Sequence, residues 1–166
     1  MDEVFVEQII KRGTSISGVL LRILSIFIVL IGVMSILWLG ILGFTLTVLL
    51  GYASYMVWSY TSVEYEYSLL NGDLTVDKIM GQSKRKNIAN YDIREAEIIA
   101  PVMSEQVVRA SMSAVVKDYS AGGKVNTVYA MIINNANGKV KILFEPNEKV
   151  IEAMHHVRPN IVVKGE

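Results

Sequence analysis

The chain has 166 residues, 52% of them hydrophobic, with a mean hydropathy of +0.39; at about 100–200 residues per domain it has room for one ordinary soluble domain at most. The absence of Cys excludes a disulfide framework and a thiolate metal site, and a composition this apolar excludes a disordered chain. Sixteen basic residues balance sixteen acidic ones for a formal net charge of +0, which argues against a general nucleic-acid binder, whose surface carries a large positive excess.

Residues 1–17 read as a short N-terminal cytoplasmic segment forming a surface helix. Val4, Phe5, Ile9 and Ile10 mix there with Glu3, Glu7, Lys11 and Arg12, and Val6 breaks a clean stripe. An interfacial amphipathic anchor and a frayed terminus both fit this pattern.

From Ile23 to Val63, a run of 41 residues, no side chain is charged. One helix needs about 20 residues to cross the hydrocarbon layer, so the run is too long for one pass and suits two. A secretory signal would have a 7–15-residue apolar core and a small-residue cleavage site; this run is far longer and no Ala-x-Ala site follows it. The break is expected at Gly40-Ile41-Leu42-Gly43, with Trp38 before it and Trp58 and Tyr60 as a second aromatic belt. The spacing predicts helices at about 18–39 and 42–61, and thus a two-helix transmembrane hairpin over 18–61. Lys11, Arg12 and Arg22 flank the first helix while the turn has no charge, so the positive-inside rule places both termini in the cytoplasm of a multi-pass protein of the cell membrane. Arg22 lies about one turn inside the apolar segment and is expected to snorkel to the headgroups. Gly43, Thr47 and Gly51 form a small-residue stripe for helix packing. The first helix of the same hairpin fills this stripe in one reading, and a homodimer partner fills it in the other.

After Val63 the pattern changes to alternation, and residues 62–166 read as a cytoplasmic β-rich domain. Tyr65, Tyr67 and Leu69 alternate with polar neighbours, Asn71-Gly72-Asp73 signals a tight turn, and Leu74, Val76 and Ile79 lead a second strand that Gly81 ends. A basic strand over Lys84 to Ile88 and a strand from Asp92 to Ala100 follow, the latter ended by Pro101. Ser104 to Tyr119 fits a helical face and a strand equally well; it reads as a loop or short helical turn and then a strand from about 111 to 118. Val125, Thr127, Tyr129, Met131 and Ile133 share one face of the next strand, Asn137-Gly138 is a hairpin signal, and Val140, Ile142 and Phe144 alternate on the return. Pro146 ends that strand and Asn147 caps a helix whose apolar face is Val150, Ile151, Met154 and Val157. Seven short strands and one amphipathic helix suggest a small barrel or sandwich closed by the helix.

This order is similar to a pleckstrin-homology (PH)-type domain. Two membrane helices followed by such a domain resemble bacterial membrane proteins with PH-like domains. The runs Glu64-Tyr65-Glu66-Tyr67-Ser68, Asn71-Gly72-Asp73-Leu74-Thr75-Val76, Lys84-Arg85-Lys86, Lys117-Asp118-Tyr119-Ser120-Ala121-Gly122 and Phe144-Glu145-Pro146-Asn147-Glu148 resemble a small membrane-protein family of clostridial-type Firmicutes. The resemblance implies a PH-like fold for the C-terminal part. It carries over no phosphoinositide site, because no headgroup-binding motif matches residue by residue.

No catalytic, cofactor or metal constellation emerges. His155 and His156 are adjacent and point about 100° apart on a helix, which suits dipole partners at a helix end better than a shared metal. No Gly-x-Ser-x-Gly elbow is present, and Ala121-Gly122-Gly123-Lys124 lacks the leading Gly and the Ser or Thr of a phosphate loop. The candidate soluble feature is Lys78, Lys84, Arg85 and Lys86, which would contact anionic lipid headgroups or serve as a solvated strand that discourages edge pairing. Strand addition to an exposed sheet edge is a separate route to a protein partner. The expectation is a non-enzymatic integral membrane protein that needs no cofactor. Its PH-like domain binds a protein partner or itself, with sensing of anionic lipid as the alternative. Its other partner is the lipid bilayer, and it binds no nucleic acid.

Overall fold

The computed structural model describes residues 5–81, 84–122, 127–135 and 138–165. The expectations on Val4, Gly123, Val125 and Asn137 lie outside them. Two compact units result: one gathers residues 1–12, 64–78 and 85–166, the other 13–63 and 79–84.

The second unit is built on two apolar helices, α1 (Ile16–Leu39) and α2 (Ile41–Thr61), both long and apolar enough to cross a membrane. Helix α1 starts two residues before the expected position because the Ser15 hydroxyl accepts the Gly18 N–H as an N-cap. The turn is shorter than the expected Gly40–Gly43 break. Gly40 alone makes it, at φ 55, a conformation that Gly adopts without a Cβ penalty. Its N–H donates to Ile36 O at 2.9 Å and its carbonyl accepts from Phe44 N at 3.1 Å, so one helix stops and the next starts on the same residue.

Helix packing rests on small residues. A Cβ at Gly43 would lie 2.5 Å from Ser35 O and 2.7 Å from Ile36 Cα, so the backbones of α1 and α2 touch there. The buried residues of α1 are Gly18, Ser25 and Gly32, seven apart, a spacing that keeps one seam facing a neighbour in a left-handed crossing.

The other unit contains a strand that the sequence reading assigned to a surface helix. Phe5–Lys11 is β1, paired antiparallel with β2 (Val63–Leu70) from Phe5↔Leu70 to Lys11↔Glu64. Val6, which spoils a helical stripe, shares with Gln8 and Ile10 the half-buried face of a period-two element. The Gln8 amide fastens the strand by donating to Glu145 O at 2.9 Å and accepting from Asn147 N at 2.7 Å.

The remaining strands are β3 (Asp73–Met80), β4 (Lys84–Asp92), β5 (Ala96–Pro101), β6 (Val115–Asp118), β7 (Tyr129–Asn135) and β8 (Gly138–Phe144). They form two four-stranded sheets, ordered β1-β2-β3-β4 and β5-β7-β8-β6. The seven strands expected after Val63 are present, and β1 is the eighth. Asn71 (φ 50) and Gly72 (φ 100) make the β2–β3 turn as their sequence implies.

Three boundaries differ from expectation. Strand β4 runs on to Asp92, whose carboxylate accepts the Arg94 N–H and caps a 3₁₀ turn over Ile93–Glu95, so the expected 92–100 strand starts only at Ala96. The expected 111–118 strand starts at Val115, after a short helix α3 (Glu105–Ala110) capped by Ser104 and a turn through Ser113 at φ 64. Strand β7 starts at Tyr129 and buries both of its faces, since Ala130 and Ile132 are as enclosed as Tyr129, Met131 and Ile133. A strand flanked on both sides and covered on both faces has no polar face to alternate with.

Helix α4 (Glu148–Val157) follows, capped by Asn147 through Val150 N at 2.9 Å. Val150 and Met154 are fully enclosed in the core with Tyr67, Leu69, Leu74, Ile93, Ile142 and Phe144. Of the expected apolar face, Val150 and Met154 are buried while Ile151 and Val157 are half-buried, and Ala153 joins the buried side.

Candidate interaction surfaces

Strand β6 is the last strand of its sheet. Its inner edge pairs in parallel with β8, from Val115↔Val140 to Asp118↔Leu143. All four of its residues are exposed, with Val115 at 64% and Val116 at 56%. Met103, Val108 and Met112, in the segment leading to it, also face solvent. The opposite edge of the same sheet is covered by the chain itself. Ile99 N donates to Ile161 O and Val163 N to Ile99 O, both at 2.8 Å, so residues 161–163 lie along β5 as a short parallel addition. Open edges are ordinarily blunted or covered, and among the described residues no strand pairs with the outer edge of β6.

The far end of β6 is held rigidly. Asp118 Oδ1 accepts from Ser120 N (2.9 Å) and Ser120 Oγ (2.6 Å). Arg12 donates to the Tyr65 hydroxyl at 2.6 Å and lies 3.6 Å from Asp118 Oδ2. The Tyr67 hydroxyl donates to Tyr119 O at 2.7 Å and accepts from Glu145 N at 3.3 Å. The Tyr91 and Tyr119 hydroxyls are 3.0 Å apart. Burial pushes the Tyr67 hydroxyl well above the usual tyrosine range. The Tyr91 hydroxyl is raised by burial first and then by its bond to Tyr119. Both hydroxyls are held in the neutral form, and the network is a brace for the strand rather than a set of nucleophiles.

The basic residues picked out by sequence differ in their surroundings. Lys78 is half-buried on β3, whereas Lys84, Arg85 and Lys86 are exposed at the start of β4. Successive strand residues point to opposite faces, so Arg85 and Lys86 part company. Arg85 Nη2 donates to Glu66 Oε1 at 2.9 Å and lies 2.7 Å from Oε2. Glu66 is 5% exposed, and Oε2 has no well-directed hydrogen bond of its own among the described residues. A carboxylate so enclosed needs a cation. Alternation had put Glu66 on the wet face of β2; its partner lies two strands away and is invisible to local pattern. Lys84 Nζ sits 5.6 Å from the centre of the Tyr60 ring.

The helix-packing stripe divides. Gly43 meets the α1 backbone, and Thr47 lies opposite Gly32, whose added Cβ would fall 3.3 Å from Thr47 Cα. Gly51 faces open space. The first helix therefore fills two of the three positions. The seam Gly18, Ser25 and Gly32 was missed by the sequence reading, although its seven-residue spacing is the signal that finds it. The Arg22 guanidinium is engaged at the end of α2: Nε donates to Thr61 Oγ1 at 2.8 Å, Nη2 to Ser62 Oγ at 3.0 Å, and the guanidinium carbon lies 5.1 Å from the Trp58 ring centre. His155 and His156 occupy the last turn of α4, where a cation would meet the helix dipole. No group of three or more His, Cys, Asp or Glu that could hold a metal occurs among the described residues.

The chain matches the family described as Bacterial PH-like domain (DUF6106) over residues 2–164. No curated protein and no solved structure matches it. The chain is a member of this bacterial PH-like family, and the match takes in β1 and both apolar helices as well as the sheets.

Proposed function

We propose that this PH-like family member is a non-enzymatic integral membrane protein. It crosses the cell membrane twice with both termini in the cytoplasm, and its domain docks an extended segment of a protein partner on the outer edge of β6. The edge at Val115–Lys117, which no described strand covers, carries the docking, whereas the β5 edge on the opposite side of the sheet is already covered by residues 161–163. A strand added there gains main-chain hydrogen bonds, and Val115 and Val116 offer apolar contact.

Two observations support the membrane arrangement. The apolar hairpin is inserted between β1 and β2, which are antiparallel neighbours, so the chain leaves one sheet and returns to it; an even number of passes is what such a connection requires. Lys11, Arg12 and Arg22 against an uncharged Gly40 turn favour the cytoplasmic side for the sheet. Contact of Lys78, Lys84 and Lys86 with anionic headgroups is the second reading; Arg85 adds little to it because Glu66 already holds that guanidinium.

A photo-crosslinking side chain at Val116 of the full chain, in native membranes, tests the docking. A discrete adduct is expected at position 116, absent with the same group at exposed Lys149 and lost when Val115→Asp is added. An adduct of twice the chain's mass identifies a second copy as the partner. Equal adducts at 116 and 149, or none at 116, would overturn the proposal.

A further inference from the structure

The unit containing the apolar hairpin carries two charged side chains, Arg22 and Lys84, both cationic. Each is stacked on a belt aromatic near the end of α2, Arg22 on Trp58 and Lys84 on Tyr60. Among the described residues, neither has a carboxylate within ion-pair distance. The hydroxyls of Arg22's neighbours satisfy two of its donors, but the Lys84 ammonium has no hydrogen-bond acceptor among the described residues.

Lys84 borders a groove of about 170 Å³ lined by Tyr55, Met56, Ser59, Tyr60 and Met80. A second groove of about 190 Å³ shares Tyr55 and Ser59 and adds Trp58, Ser62 and Gly81. The hydroxyl of Ser59 is unusual for its setting. Ser25, Ser35, Thr45, Thr47 and Thr61 all return their hydroxyl protons to a carbonyl of their own helix. Ser59, like Ser54, makes no such bond among the described residues, and neither does the Tyr55 hydroxyl. An uncompensated ammonium and two unengaged hydroxyls therefore border one groove at the polar end of an apolar helix, at the level where Trp and Tyr mark the membrane boundary.

We infer that this groove is a binding site for the phosphate of an anionic phospholipid. Lys84 supplies the charge, Ser59 and Tyr55 donate to phosphate oxygens, and the acyl chains follow the exposed apolar flank of α2, which includes Leu49 and Tyr52. The site is separate from the β6 edge and does not rest on the docking proposed there. It differs from a diffuse basic patch in using Lys84 but neither Arg85 nor Lys86.

The test is native mass spectrometry of the detergent-solubilised full chain, titrated separately with phosphatidylglycerol and with phosphatidylcholine. One phosphatidylglycerol should be retained per chain, about fivefold to tenfold more tightly than phosphatidylcholine, the preference expected of one interfacial cation with hydrogen-bonding help. Lys84→Gln should reduce retention of phosphatidylglycerol to that of phosphatidylcholine. Ser59→Ala, a mild change on a helix, should lower it without unfolding the chain, whereas Lys86→Gln should leave it unchanged. Excess inorganic phosphate should fail to displace the lipid, because it lacks the acyl chains. Equal retention of the two lipids would overturn the inference. So would an effect of Lys86→Gln as large as that of Lys84→Gln, or displacement by phosphate alone.

Discussion

Arg85 and Glu66 meet across an intervening strand: Glu66 lies on β2, Arg85 on β4, and β3 runs between them, yet their charged atoms are 2.7 Å apart. The carboxylate is enclosed while the guanidinium is more than half exposed, so the two members respond differently to removal. Arg85→Ala leaves a buried charge unpartnered and is expected to destabilise the domain by about 1–3 kcal/mol. Glu66→Gln in that background should recover most of the loss, because a neutral amide is cheaper to bury. Denaturant melts of the two variants check this; no recovery in the double variant would show that Arg85 acts through packing alone.

Strand β1 makes a prediction about what can be cut out. Lys11 faces Glu64 directly, so replacing residues 12–63 by Asn-Gly should close a two-residue hairpin and give a soluble β-rich domain with a cooperative melt. A chain beginning at residue 62 lacks β1, bares the β2 edge, and should be less stable or aggregate. Circular dichroism melts and light scattering of the two chains decide; equal behaviour would mean that β1 adds nothing to the sheet.

The glycines of α2 should separate by position. Gly43→Leu forces a side chain into the Ser35–Ile36 backbone and should pull the helices apart, while Gly51→Leu meets open space and should be tolerated. Crosslinking of cysteine pairs placed on α1 and α2 reads the separation directly, and equal effects at the two positions would contradict the packing.

Topology is checked by single cysteines in intact cells. A cysteine at Gly40 should react with an impermeant thiol reagent, and one at Lys149 should be protected until the membrane is opened. Labelling at Lys149 with protection at Gly40 would invert the assignment.

Alkaline pH should loosen the brace around β6. The Tyr67 and Tyr91 hydroxyls are raised in the folded state, so their stabilising effect is complete below the ordinary tyrosine range near pH 10 and is lost as pH rises through it toward the folded values. Tyr67→Phe should lower stability at neutral pH, by leaving the Tyr119 carbonyl and Glu145 N–H without that hydroxyl, and should flatten the alkaline fall. An unchanged alkaline slope would assign the fall to other groups.

What the sequence disclosed was the local part. Tyr65, Tyr67 and Leu69 alternate because β2 has a dry face, Asn71-Gly72 turns because both residues accept positive φ, and Asn147 with Val150 and Met154 spells a capped amphipathic helix. What it concealed depends on partners far along the chain. Phe5–Lys11 has no helical stripe because its neighbour is a strand beginning at Val63, and Glu66 looks wet because Arg85 is two strands over. The β6 edge was equally concealed. Val115-Val116 and Met112 fit a helical face and a strand equally well in sequence, and only the sheet order shows β6 as an outer strand with no described strand beyond it.

The junction of Lys11 and Glu64 also dictates an order of assembly. During synthesis β1 leaves the ribosome first and must wait for 52 residues, 12–63, before its partner exists. A floppy loop of that length would make strand pairing slow. Here the intervening chain is two helices whose ends already lie together, with a Cβ at Gly18 falling 3.6 Å from Thr61 Cγ2. Under the proposed topology, an inserted pair takes the place of the β-turn, and a distant pairing becomes a local one. A chain whose helices fail to insert is then expected to leave β1 and β2 unjoined, with the Phe5 strand loose and the β2 edge bare.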